Sequence, residues 1–151
     1  MTSGGRAGRD STVADCRVIE LRRITDQRGN LTVVEAEDTI PFRIARVYWL
    51  YDVPGGASRA GHAHRELEQF LVAATGSFTV TVDDGSERRS FFLNRSYYGL
   101  YVPALIWREV VDFSSGSVCL SIVSAHYDES DYFRDYDEFV AFRDSDARSL
   151  P

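Results

Sequence analysis

Short β-prone segments recur along this chain, and they limit its fold more than any other feature. Each is rich in Val, Ile, Phe or Tyr, and turn-forming residues such as Pro54-Gly55-Gly56 and Asp83-Asp84-Gly85 separate them. The segments are CRVIELR (16–22), LTVVEAE (31–37), IARVYWLYD (44–52), LEQFLVAAT (67–75), SFTVTVD (77–83), RRSFFL (88–93), YGLYVP (98–103), WREVVDF (107–113) and SVCLSIVS (117–124). Many short strands separated by turns are typical of an all-β barrel or sandwich.

Alternating side chains support the strand interpretation and set the domain limits. Phe78, Val80 and Val82 alternate with polar residues, as do Val118, Leu120 and Ile122 with Cys119 and Ser121, which is the period of a half-buried strand. The tail from about Tyr132 to Arg143 groups its apolar residues as a helix does. We expect a flexible leader over 1–14, which is small and polar, and a single domain over 15–151.

Composition excludes several classes of function. The 151 residues carry 17 basic and 23 acidic side chains, a net charge of -6, and the basic residues are scattered arginines without a single lysine. A nucleic-acid partner needs a concentrated basic face, and Schiff-base catalysis needs a lysine, so neither is expected. No apolar run approaches the roughly 18 residues of a membrane span, and the N-terminus lacks the apolar stretch of a signal peptide. We therefore expect no membrane partner and a cytoplasmic location.

The two cysteines give no sign of a zinc or redox motif. Cys16 and Cys119 lie far apart in the sequence, and neither belongs to a CxxC pair. Two buried thiols are the expected state, and a single disulfide is the alternative.

The string Arg59-Ala60-Gly61-His62-Ala63-His64 contains two of the three histidines. On a strand, residues i and i+2 point to the same face, so His62 and His64 are expected to project together. The alternative is a pair of solvated or core-edge imidazoles. The third histidine, His126, is interpreted as a surface residue, and Asp128, Glu129 and Asp131 after it as residues that order a turn or cap the terminal helix.

The surroundings of the histidine pair resemble the first motif of the cupin superfamily. Gly56, His62, His64, Gln69 and Gly76 follow the spacing of its glycine, histidine pair, acidic residue and second glycine, and Gly99 to Arg108 resembles the second motif. The resemblance implies a cupin-type double-stranded β-helix or jelly-roll barrel with a short C-terminal helix. Two departures concern the metal of many cupins, because the usual glutamate ligand falls on Gln69, or one residue earlier on Glu68, and the usual histidine falls on Arg108. A guanidinium has no lone pair for a metal and repels a cation, so we expect no metal and no cofactor.

A narrower resemblance covers most of the chain, from about Cys16 to Phe142. The strings RGNL (28–31), PFRIARVYWL (41–50), HAH (62–64), LEQF (67–70), GLYVPxxIW (99–107), DFS (112–114) and YDESDY (127–132), taken in order, resemble the nucleotide-sugar 3,4-ketoisomerases. The resemblance implies an isomerase acting on dTDP-4-oxo-6-deoxyglucose in deoxyaminosugar biosynthesis, and a homodimer. Departures from the family are Arg65 in place of a lysine and the pair Ala60-Gly61 before the histidines, which bears on the width of the pocket.

The same resemblance implies the roles of individual residues. Moving the ketone from C4 to C3 requires a base near the C3 proton, and the ordinary pKa of histidine suits that task. His62 is the first candidate for the base, with His64 as the second imidazole and Tyr48 as a proton relay. Tyr48 also fits simple core packing, as do the other aromatic candidates. The expected substrate-binding residues are Arg28, Arg59, Arg108, Gln69, Trp107 and Tyr101.

Three other functions remain open at this point. An epimerase of a dTDP-4-oxo sugar begins with the same proton abstraction. A non-catalytic cupin that binds a nucleotide sugar comes from a different class of protein. A metal-dependent cupin oxygenase is the third.

Overall fold

The structure, a computed structural model, describes residues 11–148 as twelve strands and one α-helix, with two single-turn 3₁₀ helices, Val13–Asp15 and Glu129–Asp131. The strands are β1 (Arg17–Glu20), β2 (Arg23–Asp26), β3 (Gly29–Thr32), β4 (Arg46–Leu50), β5 (Arg59–His64), β6 (Gln69–Thr75), β7 (Phe78–Asp83), β8 (Arg88–Leu93), β9 (Tyr98–Val102), β10 (Trp107–Val111), β11 (Val118–Val123) and β12 (Tyr132–Phe133), and the helix is α1 (Tyr136–Arg148). No described helix is long and apolar enough to cross a membrane.

Two five-stranded antiparallel sheets form the body of the fold. The first has the order β1-β9-β6-β11-β4 and the second the order β12-β5-β10-β7-β8, while β2 and β3 form a separate hairpin. Apart from the β7–β8 hairpin, neighbours in each sheet are not consecutive in the sequence, as in a jelly roll. The all-β prediction with a cupin-type barrel and a C-terminal helix is therefore confirmed. Segment 31–37 differs from the prediction, because β3 ends at Thr32 and only an isolated bridge from Ala36 to Ile40 follows.

Apolar side chains form one cluster between the sheets and one on the outside of each sheet. The inner cluster includes Phe78, Val80 and Val82, all fully buried as the alternation predicts. A second cluster covers the outside of the first sheet around Phe70 and Tyr101, and a third packs Phe139 of α1 against the second sheet. The inner face of each sheet is thus buried, which specifies its register, and part of each outer face is covered as well.

Strand β11 is buried on both faces, which the sequence alternation did not show. Cys119 and Ser121, the smaller and more polar set, point between the sheets with no exposed surface. Ile122 belongs to the outer cluster, and Leu120 packs against that cluster. The space that the small inward side chains leave becomes part of the cavity described below. Both cysteines are free thiols, as expected, and burial raises the pKa of each to about 12.

The helix begins later than predicted, at Tyr136 instead of Tyr132. Asp135 caps its first turn by accepting a hydrogen bond from the Glu138 backbone at 3.0 Å. Tyr132 and Phe133 instead pair with β5, opposite His64 and Ala63. This pairing brings the end of the chain to the histidine strand.

Most of the predicted leader, 1–14, lies outside the described residues, but its last four residues correct the prediction. Thr12 and Asp15 form a capping box around the first 3₁₀ helix, and Val13 is fully buried in the inner cluster. Val13 therefore anchors this segment to the inner cluster, because it supplies an apolar side chain within a polar sequence.

Candidate active site

A cavity of about 540 Å³ opens between the two sheets, beside the inner apolar cluster. That volume suits a small organic ligand. Strands β4, β6 and β11 line one side and β5 and β10 the other, with the β12 segment at the edge. The lining residues are Arg46, Tyr48, Leu50, Ser58, Arg59, His62, Gln69, Leu71, Arg108, Val110, Cys119, Ser121, Tyr132 and Arg134.

The charge of the lining is positive, although the protein as a whole is negative. Four arginines face the cavity, and no aspartate or glutamate is among the described lining residues. Arg134 is neutralised by a bidentate ion pair with Glu129, with both distances 2.9 Å. Arg46, Arg59 and Arg108 have no carboxylate within ion-pair distance in the described part of the chain. The cavity is therefore built to attract an anion.

His62 and His64 project from the same side of β5, as the spacing predicts. Their rings meet edge to face with centroids 4.9 Å apart, and His62 lines the cavity. His64 lies behind it and is 1% exposed, with Nδ1 placed 3.1 Å from Oδ2 of Asp131. Burial lowers the pKa of His64 to about 4, against the opposing effect of Asp131, so the ring is neutral at pH 7. A neutral ring donates Nδ1–H to the carboxylate and keeps Nε2 as an acceptor.

Asp131 has the contacts needed to stay ionised. Burial acts to raise the pKa of this carboxyl, but hydrogen bonds from His64 and from the backbone N–H groups of Glu66 and Leu67 outweigh it and lower the pKa. The Glu66 bond is 2.9 Å and the Leu67 bond 3.4 Å. Asp131 is thus fixed at three points and orients His64 in turn.

Tyr48 approaches the cavity from the opposite sheet, on β4. Its hydroxyl oxygen lies 3.0 Å from Nε2 of Gln69, and Gln69 also contacts Ser121 at 2.6 Å and Arg108 at 2.7 Å. Burial raises the pKa of Tyr48, so the phenol is protonated at neutral pH. A histidine and a tyrosine therefore face one cavity from two sheets.

Arg108 stands, fully buried, where many cupins place a metal ligand. Its guanidinium donates to Gln69 and to the carbonyl oxygens of Ile106 and Pro103, at 2.7, 2.8 and 3.4 Å. Burial lowers its pKa to about 10, which still leaves it charged at pH 7. This cation is bonded to the side-chain oxygen of Gln69, which the cupin motif would offer a metal. Within 11–148, no group of three or more His, Cys, Asp and Glu side chains is arranged to hold a metal ion. The residues at this position do not fit the metal of other cupins.

Six of the nine residues predicted for the site come together here. His62, Tyr48, Arg59, Arg108 and Gln69 line the cavity, and His64 supports His62 from behind. Arg28 does not join them, because it sits on the β2–β3 hairpin with its side chain 90% exposed and paired with Asp26 at 2.6 Å.

Trp107 and Tyr101 also lie away from the cavity. Trp107 packs against Phe139 of α1, and Tyr101 lies in the outer cluster and donates to Glu68 at 2.5 Å. Because neighbouring strand residues point to opposite faces, Trp107 faces outward when Arg108 faces inward. The same alternation places Tyr101 outward between Leu100 and Val102. The structure assigns both aromatics to packing.

Sequence reasoning did not assign to the site the lining residues Tyr132, Ser121, Arg46 and Arg134, nor Asp131, which lies behind the cavity against His64. Asp131 was interpreted as a capping or turn residue, a role that Asp128 fills by accepting from the Ser130 backbone at 3.0 Å. His126 is exposed, as predicted. For Arg46 a signal existed, since it lies two residues before Tyr48 and so shares its face of β4.

Known proteins match this chain closely in sequence and fold. A curated TDP-4-oxo-6-deoxy-alpha-D-glucose-3,4-oxoisomerase of Aneurinibacillus thermoaerophilus is 44% identical over 126 residues, covering 83% of this chain and 91% of the relative. A solved TDP-quinovose 3,4-ketoisomerase of Campylobacter jejuni, WlaRB, is 39% identical with a TM-score of 0.81, covering 84% of this chain and 98% of that one. QdtA, a sugar 3,4-ketoisomerase of Thermoanaerobacterium thermosaccharolyticum solved with TDP, is 35% identical with a TM-score of 0.85, covering 92% and 100%.

The fold and the cavity define the class, a cupin-type barrel similar to sugar isomerases. Residues 14–144 match the family model described as WxcM-like, C-terminal. The chain belongs to this family, named FdtA, and its resemblance to the nucleotide-sugar 3,4-ketoisomerases is confirmed.

Proposed function

We propose that the protein is a sugar 3,4-ketoisomerase that converts TDP-4-oxo-6-deoxyglucose into its 3-oxo isomer. The observation that carries this proposal is the arginine-rich cavity into which His62 and Tyr48 project from opposite sheets. A base, an acid and a positive field in one cavity suit the removal of a proton next to a ketone. The relatives named above carry this activity in their names.

His62 is the base in this mechanism. It takes the C3 proton, which the C4 ketone acidifies, and the electron pair moves to form an enediolate across C3 and C4. Protonation of the C4 oxygen, return of a proton to C4 and loss of the proton from the C3 hydroxyl complete the isomerisation, so atoms and electrons balance without an external oxidant. His64 and Asp131 orient His62 from behind, and the neutral state of His64 keeps a second imidazolium away from His62.

Tyr48 faces the oxygens of the substrate as a proton relay. The enediolate places negative charge on these oxygens, and a protonated phenol held in a buried site stabilises that charge. Arg46 and Arg59 are the arginines proposed to hold the diphosphate, because neither is paired with a carboxylate in the described chain. Arg28 is not among the lining residues of the cavity, so no contact between Arg28 and the substrate is proposed within one subunit.

The reaction is proposed to need no metal or other cofactor. Arg108 supplies a fixed positive charge at the place where a cupin metal would sit. Proton transfer within one sugar ring requires only acids and bases that the chain itself carries. A cytoplasmic location is proposed with it, since nucleotide sugars are made there.

We further propose that the active protein is a homodimer, with strand β4 at the contact. β4 is the edge strand of the first sheet, and Val47, Trp49 and Tyr51 are exposed along its outer face. An open edge with exposed aromatics is a surface that a second copy of the chain can cover. Trp49→Glu is expected to give monomers in light scattering after gel filtration, and Phe92→Glu, equally exposed on β8, is the control. A dimer that survives Trp49→Glu unchanged contradicts this contact.

The proposed activity is tested with chelator-treated protein and TDP-4-oxo-6-deoxyglucose, followed by proton NMR. The expected product is a 3-oxo sugar, and the C4 coupling reports its stereochemistry. Inversion at C3 or C5 with the ketone still at C4 would indicate an epimerase instead. Activity restored only by an added metal would contradict the cofactor-free reaction.

A further inference from the structure

The orientation of the Gln69 amide is fixed by Arg108. Both side chains are buried, with 2% and 1% of their surface exposed. A guanidinium can only donate hydrogen bonds, so the Gln69 atom that lies 2.7 Å from Arg108 Nη1 must be the carbonyl oxygen Oε1. The amide nitrogen therefore points the other way, toward β4 and β11.

The two hydrogens of that nitrogen have two acceptors. Nε2 lies 3.0 Å from the Tyr48 hydroxyl and 2.6 Å from the Ser121 hydroxyl, so both oxygens accept from Gln69. Ser121 is the cross-strand partner of Tyr48 and hydrogen-bonds its phenol oxygen as well. The Ser121 hydroxyl has two lone pairs and one hydrogen, so it accepts from the amide and still has that hydrogen to donate to Tyr48, the direction in which its hydrogen bond lowers the pKa of the phenol.

The Tyr48 oxygen thus accepts from two neighbours and keeps its own hydrogen for a third partner. Burial of the phenol raises its pKa, and the hydrogen bond from Ser121 partly opposes the rise, so the proton is present at neutral pH. Tyr48 lines the cavity, so a ligand bound there is the third partner.

We propose that Gln69, held by Arg108, is a positioning residue that forces Tyr48 to donate its proton into the cavity. The inference rests on the proposed ketoisomerase function and deepens it. In that reaction the phenol proton meets the C4 oxygen as negative charge builds there. Gln69 and Arg108 then act through Tyr48, not by touching the substrate as the sequence analysis predicts.

A change from amide to carboxylate tests this direction with almost no change in shape. In the variant Gln69→Glu, one carboxylate oxygen still accepts from Arg108, but the other can only accept. This second oxygen accepts a hydrogen bond from the Tyr48 hydroxyl, whose proton then points away from the cavity. We expect kcat to fall by about 100-fold, as for loss of one donor to a developing oxyanion, with KM changed much less.

A double-mutant cycle with Tyr48→Phe separates positioning from direct binding. If Gln69 acts through Tyr48, Tyr48→Phe slows the wild-type protein strongly but has little further effect in the Gln69→Glu background. If the two single substitutions lower kcat by factors that multiply fully in the double variant, the proposal is overturned. Gln69→Leu, which removes both donors without adding charge, is expected to fall between the wild type and Gln69→Glu in kcat.

Two further measurements complete the experiment. Gln27→Glu makes the same chemical change at an exposed hairpin position and is expected to keep wild-type kcat. NMR of protein labelled with ¹³C at tyrosine Cζ reports the hydrogen bonding of Tyr48 without any turnover. A Tyr48 signal that moves in Gln69→Glu but not in Gln27→Glu supports the network even if the sugar substrate proves wrong, and an unmoved signal overturns it.

Discussion

His64 shows how one side chain depends on burial and on a single distant partner. Burial keeps the ring neutral, and Asp131 fixes which nitrogen carries the hydrogen. The ring then supports His62 in one orientation. The charge of the ring can be tested by changing the pH, and the position of its hydrogen can be tested by substituting Asp131.

Asp131→Asn is expected to lower kcat by about 100-fold or more with little change in KM. The amide can donate to Nδ1 and so favours the wrong tautomer of His64, as substitution of the orienting aspartate does in the serine protease triad. Steady-state kinetics and the ¹⁵N shifts of the His64 ring check this. Wild-type kcat with an unchanged ring signal would remove Asp131 from its assigned role.

The free energy of unfolding is expected to fall as the pH drops from about 6.5 to about 4. The pKa of His64 is lowered from the ordinary 6.5, which applies to the unfolded chain, to about 4 in the folded protein. Between these two pKa values the unfolded chain binds a proton that the folded protein does not, and this stabilises the unfolded chain. The expected loss is about 2 kcal/mol between pH 7 and pH 5. Urea titrations at several pH values measure it. His64→Gln should remove this dependence of the free energy of unfolding on pH, whereas His126→Gln, at an exposed position, should keep it. The same dependence in the wild type and in both variants would contradict the account.

Among the elements, the short segment from Asp128 to Phe133 completes the site from the far end of the chain. It delivers Asp131 and Tyr132 to β5, where Tyr132 lies within 4.4 Å of His64 between ring centroids. Arg65 holds the segment, since its Nη1 donates to the carbonyl oxygens of Ser130 and Tyr132 at 3.1 and 3.0 Å. The guanidinium also stacks 3.8 Å above the Phe133 ring.

Arg65→Met is therefore expected to lower both the melting temperature and kcat, because the segment that carries Asp131 loses its two carbonyl contacts. Arg65→Lys, which keeps the charge, should restore part of kcat. The control is Arg43→Met at an exposed position. Assays well below each melting temperature separate the two effects. If kcat of Arg65→Met is normal there, Arg65 is a purely structural residue.

The strands also show which parts of the site can be predicted from the sequence. Strand alternation predicts that His62 and His64 share a face, and it also places Trp107 and Tyr101 on the outer faces of their strands once Arg108 and Leu100 point inward. Asp131 is different, because 67 positions separate it from His64 and only the pairing of β12 with β5 brings them together. The Gln69 network likewise joins four strands, which no local pattern encodes.

For the whole molecule, the distribution of charge matters more than its total. The net charge of -6 repels a nucleotide sugar at long range, but physiological salt screens this over about 8 Å. Inside the cavity the arginines act at close range. Arg46 contributes a buried Nε without a hydrogen-bond partner in the described chain.

Arg46→Gln is accordingly expected to raise KM for the nucleotide sugar by about tenfold with kcat nearly unchanged, because a charge-assisted hydrogen bond is worth about 1.5–3 kcal/mol. Arg43→Gln, outside the cavity, is the control. The two variants are compared by steady-state kinetics at one ionic strength. A fall in kcat at constant KM would place Arg46 at the reacting atoms and not at the diphosphate.

The central claim is that His62 removes the C3 proton of the sugar within this cavity. It is tested most directly with TDP-4-oxo-6-deoxyglucose deuterated at C3, by following loss of deuterium to solvent and the position of the ketone by NMR. The wild-type protein is expected to release deuterium while forming the 3-oxo sugar, and folded His62→Asn to do neither. Deuterium release by His62→Asn at the wild-type rate would contradict the account.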